Sequence, residues 1–180
     1  MFPLNFRTIQ STAFEGPGLF RFDFKECDFE QRFYTYDNSL KSIERVLDGL
    51  KNSRLLSKGA YKWYDYHFGP VIIDNIHAED FRQIESLKLE NILSHLVDST
   101  IAKFYEVRYE NGELDIVKHK IRTAIEFIPV DTVSFFKYDV EIDKTNIGST
   151  KVVEHNLFDY FYFIIGFNEK KFYLMTLFYE

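Results

Sequence analysis

A chain of 180 residues, 46% hydrophobic and 18% aromatic, carries enough apolar surface to offset its conformational entropy, which excludes a disordered chain. Its formal charge of −6 repels polyanions at long range and argues against general nucleic-acid binding. The lone Cys27 excludes an internal disulfide and suits a reducing compartment.

One domain spanning residues 1–180 is expected from the length. The N-terminal "MFPLNFRTIQ" has neither a basic n-region nor a continuous apolar h-region, so no signal peptide is expected. No apolar run approaches the roughly 20 residues of a membrane helix. A cytoplasmic protein without membrane association follows as the expectation.

In chain order, "EGPG" at 15–18 reads as a turn, and "LFRFDF" at 19–24 alternates phenylalanines with Arg21 and Asp23, as a first strand does. From Asn38 to about Asn52, Leu40, Ile43, Val46, Leu47 and Leu50 recur at helical spacing after possible caps at 37–39. A second helical region is predicted over about Glu79–Lys103, with a break near Ser86 and an uncertain register at Leu87. Asn111-Gly112 suits a type I′ turn, so 105–118 reads as a hairpin with Tyr109, Leu114, Val107 and Ile116 inward and its acids outward. Residues 132–142 alternate as a strand, and 143–149 form a polar loop. The last stretch reads as a hairpin turning at 168–171, with Phe161, Phe163, Ile165, Leu174, Thr176 and Phe178 on one face. Tyr160, Tyr162, Ile164, Met175, Leu177 and Tyr179 share the other, so both strands belong at the centre of a sheet. The predicted class is α+β: an antiparallel sheet with two main helical regions packed on one face.

The segment "YKWYDYHFGPVIIDNIHAEDF" at 61–81 holds the raw material of an acid–base or metal site: His67, His77, Asp65, Asp74, Glu79 and Asp80. These could converge if the chain folds back at Gly69-Pro70, but no metal-ligand motif links them. A simpler account puts Glu79 and Asp80 in a first helical turn, where the dipole favours carboxylates. His95, His119 and His155 read as surface or boundary residues. Acids at 26, 28 and 30 oppose thiolate formation at Cys27. No nucleophile elbow or phosphate loop occurs, so no cofactor and no metal are expected. Lys51, Arg54, Lys58 and Lys62 lead into Tyr61, Trp63, Tyr64 and Tyr66, a pattern that can hold single strands. The net acidity favours a solvated helix end and an alternating strand instead.

What remains is surface. Asp23, Glu26, Asp28 and Glu30 form one acidic stretch, and Glu106, Glu110, Glu113 and Asp115 another on the outward face of the 105–118 hairpin. Acids beside tyrosines can dock a basic protein, charge setting the on-rate and aromatic anchors the residence time. In these respects, aromatic-rich, net acidic and nearly free of cysteine, the chain resembles the small acidic immunity proteins with which bacteria neutralise toxins. That resemblance implies a non-enzymatic inhibitor that binds and blocks a toxin. A small enzyme using residues 65–80 and a domain holding an apolar small molecule against its aromatic sheet are the alternatives. The sequence leaves the oligomeric state open.

Overall fold

The computed structural model describes residues 6–15, 19–28, 40–51, 67–68, 71–72, 76–104, 113–138 and 160–179. In chain order these are β1 (Arg7–Glu15), β2 (Leu19–Asp28), α1 (Leu40–Lys51), β3 (His67–Phe68), β4 (Val71–Ile72), β5 (Phe81–Ile84), α2 (Leu89–Phe104), α3 (Glu113–Glu126), β6 (Ser134–Tyr138), β7 (Tyr160–Phe167) and β8 (Lys171–Tyr179). Three short 3-10 turns occupy Ala78–Asp80, Ser86–Lys88 and Val130–Thr132.

The six-stranded sheet has the order β1-β2-β8-β7-β6-β5, and each neighbouring pair is antiparallel. β7 and β8 lie at its centre with Phe161 opposite Phe178, Phe163 opposite Thr176 and Ile165 opposite Leu174, the register expected from the sequence. A strand whose two faces are both apolar must be covered twice. One cover is α1: Ile43, Val46, Leu47 and Leu50, spaced as one helical stripe, pack with Phe163, Ile165, Phe167, Phe172 and Leu174. The other cover is α2 with α3, whose Leu89, Leu93, Val117, Ile121 and Ala124 pack on Phe22, Phe24, Ile164, Tyr173, Met175 and Leu177. The α+β class and antiparallel sheet agree with expectation. The helices, however, lie on both faces rather than one, since a sheet with two buried faces cannot leave either to water. Each such phenylalanine or leucine contributes about 1.5–3 kcal/mol by leaving water.

Four local assignments differ from the sequence reading. The 105–118 hairpin is not formed, because Glu113–Glu126 is α-helical. Its buried residues Val117, Ile121 and Ala124 advance by four and three, and Ile128 follows four further on just past the helix, a helical stripe that extends beyond the short window in which 114, 116 and 118 alternate. The stretch Phe81–Ile84, expected to be helical, is an edge strand opposite Phe135–Tyr138. The helical signal of Glu79 and Asp80 belongs to a single 3-10 turn, and α2 begins only at Leu89. β1 was not expected at all. A bulge between Thr8 and Gln10 turns Ile9 and Thr12 to the same core, three positions apart, which erases the two-residue period by which strands are recognised. The described part of the 132–142 strand is 134–138, preceded by a 3-10 turn. Residues 16–18, 37–39 and 139–149, expected as turn, caps, strand end and loop, lie outside the described residues.

Candidate functional site

The His/Asp/Glu segment can be followed from His67 onwards. β3 and β4 pair antiparallel, with His67 opposite Ile72 and Phe68 opposite Val71, and Gly69 and Pro70 lie outside the described residues. Asp65 and Asp74 lie outside the described residues. His77 and Asp80 meet in a local capping arrangement, with Glu79 exposed between them. His77 N–H donates to Asp80 Oδ2 at 2.9 Å, and Asp80 N–H donates to the His77 carbonyl at 3.1 Å. The neighbouring Ala78 N–H donates to Glu44 Oε1 of α1 at 2.8 Å, which fastens the turn to the helix. Carboxylates here satisfy backbone donors, as expected of residues at the start of a helical turn. No group of three potential ligands converges among the described residues. His77, His95 and His119 are exposed, His119 on α3 rather than after a hairpin.

Beneath this turn stands Tyr138, opposite Phe81 in the ladder and in edge contact with its ring at 5.4 Å. Its Oη is buried without a hydrogen-bond partner. Burial first, then the charge of Asp80, push this hydroxyl above the usual tyrosine range.

The acids nominated by the sequence divide sharply. Asp23 is buried and accepts from Ser11 Oγ at 2.5 Å and Arg21 Nε at 2.8 Å. Glu26 is buried between two cations, accepting from Arg7 Nε and Nη2 and from Lys171 Nζ at 3.0 Å. Burial opposes ionisation of Glu26, but hydrogen bonds and charge from Arg7 and Lys171 outweigh it and hold the carboxyl below its ordinary value. Both residues are buried and link neighbouring strands. Asp28 and Asp115 are exposed, the latter in the first turn of α3 with Glu113. Glu30, Glu106 and Glu110 lie outside the described residues, as do Arg54, Lys58, Lys62 and the rings at 61–66. Cys27 is buried.

A different surface emerges from the turns. Leu87, 83% exposed, projects from the 86–88 turn while Leu89, two positions on, is wholly buried. The "LKL" that blurred the helical register is thus one outward and one inward leucine. The 86–88 and 130–132 turns pack against each other. The latter is held in turn by the β7–β8 connection: Asn168 Nδ2 donates to Thr132 Oγ1 at 3.3 Å, while Asn168 Oδ1 accepts from the N–H groups of Lys170 and Lys171 at 2.9 Å. The exposed carboxylates of Glu85, Asp131 and Glu169 sit on these same three connections. Lys88 is ion-paired with Glu85 at 2.8 Å and Lys171 with Glu26 at 3.0 Å, and Lys170 is the remaining cation of these turns. The sequence concealed this surface because its residues come from positions 85–88, 131 and 169, and only tertiary packing unites them.

No protein-family model, curated protein or solved structure matches the chain.

Proposed function

We propose that this chain is a non-enzymatic protein-binding domain of the inhibitor or immunity type, acting in the cytoplasm on a basic protein partner such as a toxin. The observation that carries the reading is Leu87, a large apolar side chain held in water on turns fixed by Asn168 and bordered by Glu85, Asp131 and Glu169. An apolar anchor with a charged rim is the arrangement in which the anchor supplies residence time and the rim supplies steering. The net charge of −6 acts in the same direction.

The test is a titration against the protein encoded beside this gene, with binding followed by calorimetry and inhibition by the partner's own activity. A one-to-one complex is expected. Leu87→Asp should weaken it by about tenfold or more, and Glu85→Lys with Asp131→Lys should slow association and flatten its salt dependence. A partner that is neither bound nor inhibited overturns the proposal. A complex indifferent to all three substitutions overturns the surface.

One observation favours a second reading, a small-molecule site. The partnerless Tyr138 hydroxyl under the 78–80 turn could donate to a bound acceptor. Native mass spectrometry of the purified chain would show such a ligand as added mass, and an apo mass alone would dismiss it.

A further inference from the structure

β1 forms one edge of the sheet, and two independent features of that edge point the same way. The first is the strand itself. "RTIQSTAFE" begins with a cation, ends with an anion, and has no charge and no proline between them, so apart from the bulge at Ile9 it lacks the features that usually blunt an edge. Thr8, Ser11 and Ala13 on its α1-side face are exposed. Laid antiparallel on a copy of itself about Ser11, the strand brings Arg7 of each molecule to the level of the Phe14–Glu15 end of the other, with the bulge at Ile9 shifting the match by one residue. Arg7 keeps donors for this, since only its Nε and Nη2 serve Glu26 and its side chain is 66% exposed.

The second feature is α3, which packs over β1 and β2. At about 100° per residue, Val117, Ile121, Ala124 and Ile128 mark its buried direction. Lys118 and Arg122 lie to one side, reaching Asp98 and Glu90 of α2. Ile116, Lys120 and Thr123 form a stripe on the opposite side, away from α2 and on the side of the β1 edge, and Phe127 follows in the turn just past the helix end. Ile116, in the first turn of α3, is 47% exposed, and Phe127, one residue past its C-terminal end, is 68% exposed. Apolar groups at both ends of an outward stripe suit an antiparallel twin, which would set Ile116 of one helix by Phe127 of the other.

We infer that two copies of this chain associate about a twofold axis through Ser11 of β1, continuing the sheet across the interface and bringing their α3 stripes together. The axis makes the contact isologous, so it closes at two and does not propagate. Backbone pairing supplies the register. The Arg7 and Glu15 ends exclude the parallel alternative, in which like charges would meet. The contact is separate from Leu87 and its rim, so it stands or falls independently of the partner reading.

Sedimentation of the full chain should give twice the monomer mass, dissociating on dilution. Ser11→Cys places two thiols on the axis at the 4.5–5.5 Å Cα separation typical of facing antiparallel residues, about the separation a disulfide needs. Mild oxidation should therefore cross-link Ser11→Cys to a covalent dimer, while Glu85→Cys, remote from the axis, should not cross-link. Phe127→Asp and Ala13→Lys, both at exposed positions, should raise the dimer dissociation constant by about tenfold or more while leaving cooperative thermal melting intact. A monomer at every concentration overturns the inference. So does a dimer that resists both substitutions, or one in which Ser11→Cys fails to cross-link.

Discussion

Gly166 faces Phe135 directly across the β6–β7 ladder. A Cβ at this position would fall 2.6 and 2.7 Å from Cε1 and Cδ1 of that ring, and 3.1 Å from Val133 Cγ1. The ring is wholly buried against α2 and α3 and has nowhere to retreat. Gly166→Ala should therefore lower unfolding free energy by about 1–3 kcal/mol, read from the urea midpoint, and an unchanged midpoint would mean that the ring is not fixed there. Tyr138 presents the opposite case. Its buried Oη lost water on folding and gained no partner, so Tyr138→Phe should be neutral or stabilising by up to about 2 kcal/mol. A loss of more than about 1 kcal/mol would reveal a hidden partner for the hydroxyl. Glu26 links charge to stability. Its folded-state carboxyl titrates below the ordinary 4.5, so its stabilisation is present above that value and is lost as pH falls through the lower, folded value. The stability gap between the parent and Glu26→Gln should be about 1–2 kcal/mol at neutral pH and close under acid. A gap that does not vary with pH would contradict the ion-pair account.

Elements with a regular period over several turns were legible from sequence, and those whose period is broken or short were not. α1 and the β7–β8 hairpin announced themselves because Ile43, Val46, Leu47 and Leu50, and the paired apolar faces of 160–179, repeat without interruption. β5 was missed because four residues with one buried side chain, Phe81, carry no period, and because the carboxylates before it imitate a helix start. α3 was mistaken for half of a hairpin because an Asn-Gly pair outweighed a helical stripe that becomes evident only at Ile121 and Ala124. The two assignments make opposite predictions. In the hairpin, Ile116 would be core and Val117 exposed. In the helix, Val117→Ala should cost about 1–2.5 kcal/mol and Ile116→Ala less than about 0.5, both measured by denaturant unfolding. The reverse order would restore the hairpin. The acidic stretch at 23–30 was legible as charge but not as placement: one register sends Glu26 to Arg7 and Lys171 and, among the described acids of the stretch, leaves Asp28 in water.

At the scale of the whole molecule, the buried apolar side chains of the described residues divide between two covers of one sheet. One lies under α1 and the other under α2 and α3. Among the described residues, the large apolar side chains left in water are Leu40, Leu87, Ile116 and Phe127. Leu87 and the Ile116–Phe127 stripe serve the two contacts proposed above. No described helix is long and apolar enough to cross a membrane.

β8 sits between β2 and β7, so the amino-terminal hairpin joins the sheet only through partners such as Glu26 and Lys171, 145 positions apart. During synthesis β1 and β2 must wait, with Phe22 and Phe24 unsheltered, until β8 has been made. Assembly of such distant pairings is slow, on the order of milliseconds to seconds. Refolding within microseconds in a stopped-flow or temperature-jump trace would contradict that. A delay of this length makes the nascent chain a client for holding chaperones well before it can meet any partner.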